Sequence, residues 1–403
     1  MIEKEKIIEI FEEFKKEKIE GVERELKIEP IKDKAIVIYG PRRSGKSFYL
    51  KLTLNEKREE TLFIDFEDPR LIGFEINDFF EILELYKIRY GKEPKYIILD
   101  EVQSLQHWEK LVRYLISKYF VFVTGSSSKL LSKEIATQLR GRSLSYLLLP
   151  FSFKEFLKAK KFNYKKKLFS TSEKVKILNY LEEYFKIGGL PELVVRSQEL
   201  VKYIKEYLDV VIFRDIVERY KVKEVKILKF IIKLLMESYC KEINPNKIYN
   251  TLNSKGIKIR KNTIYEFISY IEDSLFIFLL PKYENSVRLR EIYISKSYLM
   301  DLVFTNLIAN KSITKDMENI VFLHLKRQEN QKPFQEIYYY KTNENYEVDF
   351  LVKEKNQIKE LINVTYANSY EEINEREIRA LLHAKEELKL KDNVPLIIIT
   401  WDY

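Results

Sequence analysis

Short apolar runs separated by helix-like stretches dominate the first 150 residues. Ala35 to Tyr39, Thr61 to Asp65, Tyr96 to Asp100, Tyr119 to Thr124 and Leu144 to Leu149 are rich in branched and aromatic side chains. Runs of this kind, alternating with helical patterns, predict an α/β core: a parallel sheet flanked by helices. Ile7, Phe11 and Phe14 recur at helical spacing, so the N-terminal segment is expected to form an amphipathic helix packed on that core. From Pro150 the pattern changes to long helical stretches at Ser152 to Lys160, Glu173 to Lys186 and Val201 to Glu218. Between Lys226 and Tyr283 it predicts three helices and the short apolar strand Phe276 to Leu279. The last hundred residues combine the helical stretch MENIVFLHLKR with strands at Glu347 to Val352 and Lys359 to Thr365. This divides the chain into a sheet core at 1–150, a helical lid region at 151–222, a second helical module at 223–283 and an α/β domain at 284–403.

At 403 residues the chain exceeds one typical core, in agreement with several domains. A content of 45% hydrophobic and 33% charged residues excludes wholesale disorder. The net charge of +9 is a modest excess of 71 basic over 62 acidic residues, which allows a nucleic-acid partner without requiring one. A single cysteine, Cys240, rules out an intramolecular disulfide framework, and three histidines leave little material for a Cys/His zinc site. The N-terminal MIEKEKIIEIFEEFKKEK lacks the apolar core of a signal peptide, and no run of 18 apolar residues occurs. A cytoplasmic protein without a membrane partner is expected.

The candidate chemistry starts at residue 40. Gly40-Pro41-Arg42-Arg43-Ser44-Gly45-Lys46-Ser47 is a complete G-x-x-x-x-G-K-[ST] phosphate-binding loop, preceded by a strand and followed by the helix-compatible Phe48-Tyr49-Leu50. Residues 40–48 are the expected nucleotide contacts, with Lys46 reaching the β- and γ-phosphates and Ser47 ligating Mg²⁺. Tyr-Ile-Ile-Leu-Asp100-Glu101 places two carboxylates at the end of a buried strand. Asp100 is assigned to the metal and Glu101 to the attacking water. The next run ends in Thr124-Gly125-Ser126-Ser127-Ser128, where a hydroxyl could sense the γ-phosphate or simply form a Ser-rich turn. Leu139-Arg140-Gly141-Arg142 offers two guanidinium groups for charge developing on a phosphoryl group, or for an ordinary surface ion pair.

Taken together, GPRRSGKS, FIDFEDPRL, YIILDEVQ, VTGSSSKLLSKEIATQLRGRSLSYLLLPFSFKEF and FKIGGLPELV resemble the archaeal AAA+ ATPases of the additional-strand, catalytic-glutamate group. The resemblance runs over the whole chain. It implies ATP as the nucleotide, Ser126 as the sensor residue, and Arg140 and Arg142 as candidate arginine fingers supplied within a homo-oligomer or by a partner protein. No Asn/Thr-Lys-x-Asp guanine-reading motif stands in a suitable place.

The order of elements over 223–283 suits a winged helix-turn-helix. Lys258, Arg260, Lys261 and Asn262 fall at the start of its recognition helix, where double-stranded DNA would be met, although such a basic start also serves as a solvated face. The 284–403 region resembles a restriction-endonuclease-like core, with Glu318 on its helix and Asp349 on its strand. Asn363 and Thr365 stand where that fold's glutamate and lysine would be, and Glu360 points to the opposite strand face. An amide is a weak Mg²⁺ ligand and threonine supplies neither charge nor base, so this domain is expected to be inactive as a nuclease. The overall expectation is a Mg²⁺-dependent ATPase whose nucleotide state controls C-terminal DNA-binding domains. The alternative is a nucleotide-gated signalling or scaffold protein that contacts proteins and not DNA.

Overall fold

The computed structural model describes residues 3–126, 137–164, 170–196, 199–284 and 295–402. These form two compact units. The first comprises residues up to Lys174 together with Leu190–Arg196, and the second comprises Val175–Gly189 and the residues from 199 onward.

The first unit is the predicted α/β core. Helix α1 (Lys4–Lys16) buries Ile7, Ile10, Phe11 and Phe14 along one face, as its spacing requires. Five strands follow: β1 (Ala35–Gly40), β2 (Thr61–Asp65), β3 (Tyr96–Asp100), β4 (Phe120–Ser126) and β5 (Ser143–Leu147). Between and after them lie α2 (Lys46–Thr53), α3 (Asp78–Tyr90), α4 (Trp108–Leu115) and α5 (Phe153–Ala159). All strand pairs are parallel, in the order β2-β3-β4-β1-β5. Side chains alternate between faces, so Ile36 and Ile38 join Phe14, Tyr49 and Leu50, whereas Val37 joins Ile7, Phe11, Ile82 and Leu111. A sheet covered on both faces needs continuous apolar strands, and that is why these strands read as unbroken runs.

The strand ends differ slightly from the pattern. β4 runs on to Ser126, and β5 covers 143–147 where 144–149 was expected. Leu148 still donates its N–H to the Tyr39 carbonyl at 2.8 Å. Beyond it the Leu149 carbonyl turns to the Arg24 guanidinium, and Pro150 has no N–H with which to continue a ladder.

The second unit opens with most of α6 (Thr171–Ile187), which ends at Gly188 with φ 72°. A Cβ on Gly188 would lie 1.8 Å from Asp301 Oδ1, and the next N–H, that of Gly189, donates to Asp301 Oδ2 at 2.8 Å. The Gly-Gly pair is therefore a close-approach site. Helix α7 (Pro191–Val195) belongs to the first unit. The predicted helix at 201–218 is α8 (Leu200–Val210), which widens into a π-helical segment over Val211–Glu218 carrying Arg214 and the buried Asp215. There follow α9 (Val225–Glu237), β6 (Glu242–Ile243), α10 (Pro245–Ser254), α11 (Lys261–Asp273), β7 (Ile277–Leu280) and β8 (Ser295–Leu299). The three short strands form an antiparallel sheet in the order β6-β8-β7.

The remaining elements are α12 (Ile313–Gln331), β9 (Gln335–Lys341), β10 (Glu347–Glu354), β11 (Gln357–Val364), α13 (Glu375–Glu387) and β12 (Leu396–Ile399). They build a mixed sheet in the order β12-β11-β10-β9, with only β11 and β12 parallel. No helix among the described residues is long and apolar enough to cross a membrane.

Candidate nucleotide-binding site

Parallel strands deliver their C-terminal ends to one edge, and the candidate residues collect there. β1 ends at Gly40, where a Cβ would lie 2.2 Å from the Leu148 carbonyl oxygen, so only glycine lets the loop leave between its neighbours. Arg43 (φ 57°) and Gly45 (φ 87°) are both left-handed, which curls the backbone into a concave nest before α2 begins at Lys46. Such a nest at a helix N-terminus suits an anion. Lys46 is buried and its Nζ donates to the carbonyls of Gly40 (3.1 Å) and Pro41 (3.0 Å).

β3 brings Asp100 to the same edge. Ser47 Oγ donates to Asp100 Oδ1 at 2.9 Å, and the buried Thr124 hydroxyl donates to the same oxygen from β4. Thr124 Oγ1 also accepts the Glu101 N–H at 3.2 Å. Burial pushes the Asp100 carboxyl up to about 6, with the charges of Asp65 and Glu101 adding to the effect and the Thr124 and Ser47 hydroxyls opposing it. Asp65 ends β2 directly opposite Asp100 and is likewise raised, by burial and then by Glu101 and Asp68. A hard divalent cation fits this donor set: a hydroxyl and a carboxylate already in contact, with the Asp65 and Glu101 carboxylates acting on the same buried group. Glu101 is half-buried in a left-handed conformation (φ 46°), and its Oε2 accepts from the Gln103 amide.

Beside Gly45 lies a cavity of about 460 Å³. Phe48 lines it together with Gly21, Val22, Tyr49, Phe151, Pro191 and Val195. A Cβ on Gly21 would be 2.2 Å from the Phe48 ring, so this glycine makes room for the aromatic wall. Glu192, next to Pro191, pairs with Arg43 of the loop at 3.6 Å. Gly21, Val22 and Val195 lie outside the segments that carry the family resemblance, whereas Phe151, Pro191 and Glu192 lie within them. Two signals were present, since Gly21 is the sole glycine before residue 40 and the Gly-Gly-Leu-Pro-Glu turn stands out.

The other candidate residues fall in different places. Ser126 ends β4 in register with Gly40, so its backbone is at the site edge; its side chain, like Ser127 and Ser128, lies outside the described residues. Arg140 and Arg142 are exposed at the opposite edge, where the Arg142 carbonyl accepts the Ala35 N–H at 2.9 Å. Five residues of strand at ~3.3 Å each separate Ala35 from Gly40, about 17 Å. Neither arginine reaches the phosphate loop of its own chain. Lys258, Arg260, Lys261 and Asn262 are all exposed, around the first turn of α11.

A second polar centre lies in the other unit. Lys296 on β8 is 1% exposed, with Nζ 3.0 Å from Glu318, 2.7 Å from Glu347 and 3.1 Å from Asp349. The register of β10 on β9 shifts between Val348 and Leu351, a bulge that spans Asp349. Asn363 accepts the Asp349 N–H through Oδ1 (3.1 Å) and donates through Nδ2 to Glu377 (2.7 Å), a two-way role that a carboxylate could not fill. Burial and the neighbouring Asp349 raise Glu318 to about 7 despite Lys296, whose own ammonium is held charged. Glu347 moves the other way: burial raises it, but Lys296 and Lys341 together bring it below the usual range. A lysine thus reaches this centre from a strand about 70 residues before Thr365, where sequence spacing did not look for one. The hint was its place two residues from Tyr298, on the same strand face.

An AAA domain family model matches residues 32–157, and two families described as domains of unknown function match 178–312 and 315–402. The chain is 42% identical over 405 residues to an uncharacterized protein of Methanocaldococcus jannaschii, with 98% of this chain and 88% of that one covered. It is 29% identical over 383 residues to an uncharacterized protein of Haemophilus influenzae, with 91% and 89% covered. Among solved structures it is similar to a Walker-type ATPase of Pyrococcus abyssi, at 15% identity and a TM-score of 0.43, covering 76% of this chain and 95% of that one.

Removing the Lys296 ammonium leaves three carboxylates without their shared countercharge. Lys296→Met is expected to cost about 3–5 kcal/mol of stability. In that variant Glu318 loses the Lys296 charge that opposes its rise, so the folded chain holds more protons than the unfolded one from about pH 4 to above 7, and its stability falls as pH rises through that window. Thermal unfolding should show a large loss at pH 8 and a smaller one at pH 5. Equal losses at both would contradict the electrostatic account.

Proposed function

We propose that this chain, which belongs to one family with the Methanocaldococcus jannaschii protein and matches an AAA domain over residues 32–157, binds ATP with Mg²⁺ and hydrolyses it at the Gly40–Ser47 loop. The observation that carries this reading is the 2.9 Å contact between Ser47 and Asp100, which joins the phosphate loop to the carboxylate strand. Ser47 and Asp100 would hold the metal, which when bound offsets negative charge on the phosphates. The loop N–H groups and Lys46 bind the phosphates, and the apolar cavity beside Phe48 takes the base and sugar. Glu101 orients the attacking water and accepts its proton. Its N–H is anchored on the same hydroxyl that bonds Asp100, which fixes the two carboxylates relative to each other. Ser126, at the end of β4, serves as the sensor. Arg140 and Arg142, placed on the far edge, act on a neighbouring molecule's nucleotide, which makes the working form an oligomer or a complex.

For the second unit we adopt a winged helix-turn-helix. The order helix, strand, helix, helix, strand, strand, with the first strand paired to the last, supports it. This reading extends the module expected at 223–283 by the strand at Ser295–Leu299. The nucleotide state would then control how Lys258, Arg260, Lys261 and Asn262 meet duplex DNA. The final domain is taken as restriction-endonuclease-like without cleavage, because Asn363 is engaged on both sides and Lys296 already offsets the carboxylates. A cytoplasmic location accompanies this reading.

Glu101→Gln should lower phosphate release by at least about 100-fold while Mg-ATP binding persists. Undiminished turnover would remove Glu101 from the role of base. In a titration with duplex DNA, affinity should fall linearly with rising salt on logarithmic axes, and Lys261→Ala should reduce the slope by about 0.9. Absence of salt-sensitive binding would favour a nucleotide-gated scaffold that contacts proteins.

A further inference from the structure

We propose that Arg24 is a positioning residue for the phosphate loop, holding the Ser44–Gly45 peptide so that the Gly45 N–H faces the phosphates. The proposal rests on the nucleotide reading above.

Arg24 is 5% exposed and Glu155 is 2% exposed, and they form an ion pair with Nε 3.0 Å from Oε1. The guanidinium lies over the Phe151 ring, 4.9 Å from its centroid. Nη1 donates to the Ser44 carbonyl at 3.0 Å, and Nη2 donates to the Leu149 carbonyl. A buried ion pair is a poor source of stability, because desolvating two charges offsets most of their attraction. It does offer a rigid fork of donors, which an apolar pair of the same volume could not supply.

The fork grips the one peptide in the loop that most needs it. Gly45 has φ 87°, and a glycine there accepts either sign of φ, so the preceding peptide is free to flip. In a planar trans peptide the C=O of residue 44 and the N–H of residue 45 point in opposite directions. Pinning the Ser44 carbonyl on Arg24 therefore turns the Gly45 N–H away from Arg24. That N–H stands at the start of α2, among the donors that have no partner within the helix.

Arg24 is itself held. Glu155 Oε1 also accepts the Glu25 N–H at 2.6 Å, and Oε2 accepts the Ser152 N–H at 2.9 Å. Ser152 Oγ in turn accepts the Glu155 N–H, closing a capping box at the start of α5. The chain of contacts runs from a helix cap through a carboxylate and a guanidinium to the loop. Its effect is preorganisation, since the loop does not have to be ordered when phosphate arrives.

The test uses the full-length protein with Arg24→Met and with Arg24→Met combined with Glu155→Gln. Mg-ATP affinity is read by calorimetry well below the unfolding temperature, together with KM, kcat and Tm. Arg24→Met leaves the Glu155 charge buried without its partner and should lower Tm. The added Glu155→Gln neutralises that charge, keeps an acceptor for the cap, and should restore much of the loss. Both variants should bind Mg-ATP at least about ten-fold more weakly than the unaltered protein, with KM rising more than kcat falls. A double variant that binds Mg-ATP as tightly as the unaltered protein would show Arg24 to be structural only, and would overturn the proposal. If the unaltered protein itself fails to bind Mg-ATP, the nucleotide reading falls in that first arm, and the positioning role with it.

Discussion

Everything the first unit can do chemically follows from parallel strands ending on one edge. β1, β3 and β4 lie side by side, so the loop after Gly40, the Asp100-Glu101 pair and Thr124 meet although they are separated by up to 84 residues. The contact that joins them is a hydroxyl on a buried carboxylate, Ser47 on Asp100. Burial raises the proton affinity of that carboxylate to about 6, while the Thr124 and Ser47 hydroxyls bonded to it oppose the rise. The same geometry excludes Arg140 and Arg142, which precede a strand and therefore sit at the opposite edge.

The loop is shaped by what lies beneath it as well as by its own glycines. Gly40 gives passage against the Leu148 carbonyl, and Leu149 and Ser44 share the Arg24 guanidinium. The segment from 148 to 155 thus serves as a floor for residues 40–45. Leu190–Arg196 adds a wall through Pro191 and Val195, and Glu192 faces Arg43.

In the second unit the organising interaction is the buried Lys296 ammonium, shared by three carboxylates of which Glu347 also meets Lys341. Lys296 and Tyr298 project from one face of β8 onto Glu318, and the bulge at Asp349 brings a third acid to the same point. An arrangement of this kind demands that every member be present, because each buried charge is tolerated only by its neighbours. It also explains Asn363, whose amide both receives and donates where a carboxylate would add a further negative charge.

By itself the amino-acid sequence determined the parallel sheet, the phosphate loop and the Asp100-Glu101 pair. Each is written in neighbouring residues: unbroken apolar runs, glycines at fixed offsets, acids directly after a strand. It also located the three helices before Phe276, whose apolar spacing is local. Only the tertiary structure decided which groups surround the loop and which edge each arginine occupies. Arg24 meets Glu155 across 131 positions, and Lys296 meets Asp349 across 53. Such pairs leave no periodic trace, because an ion pair needs one residue at each end and places no demand on those between. Strand direction settled the rest: in a parallel sheet, residues that follow strands and residues that precede them cannot share an edge.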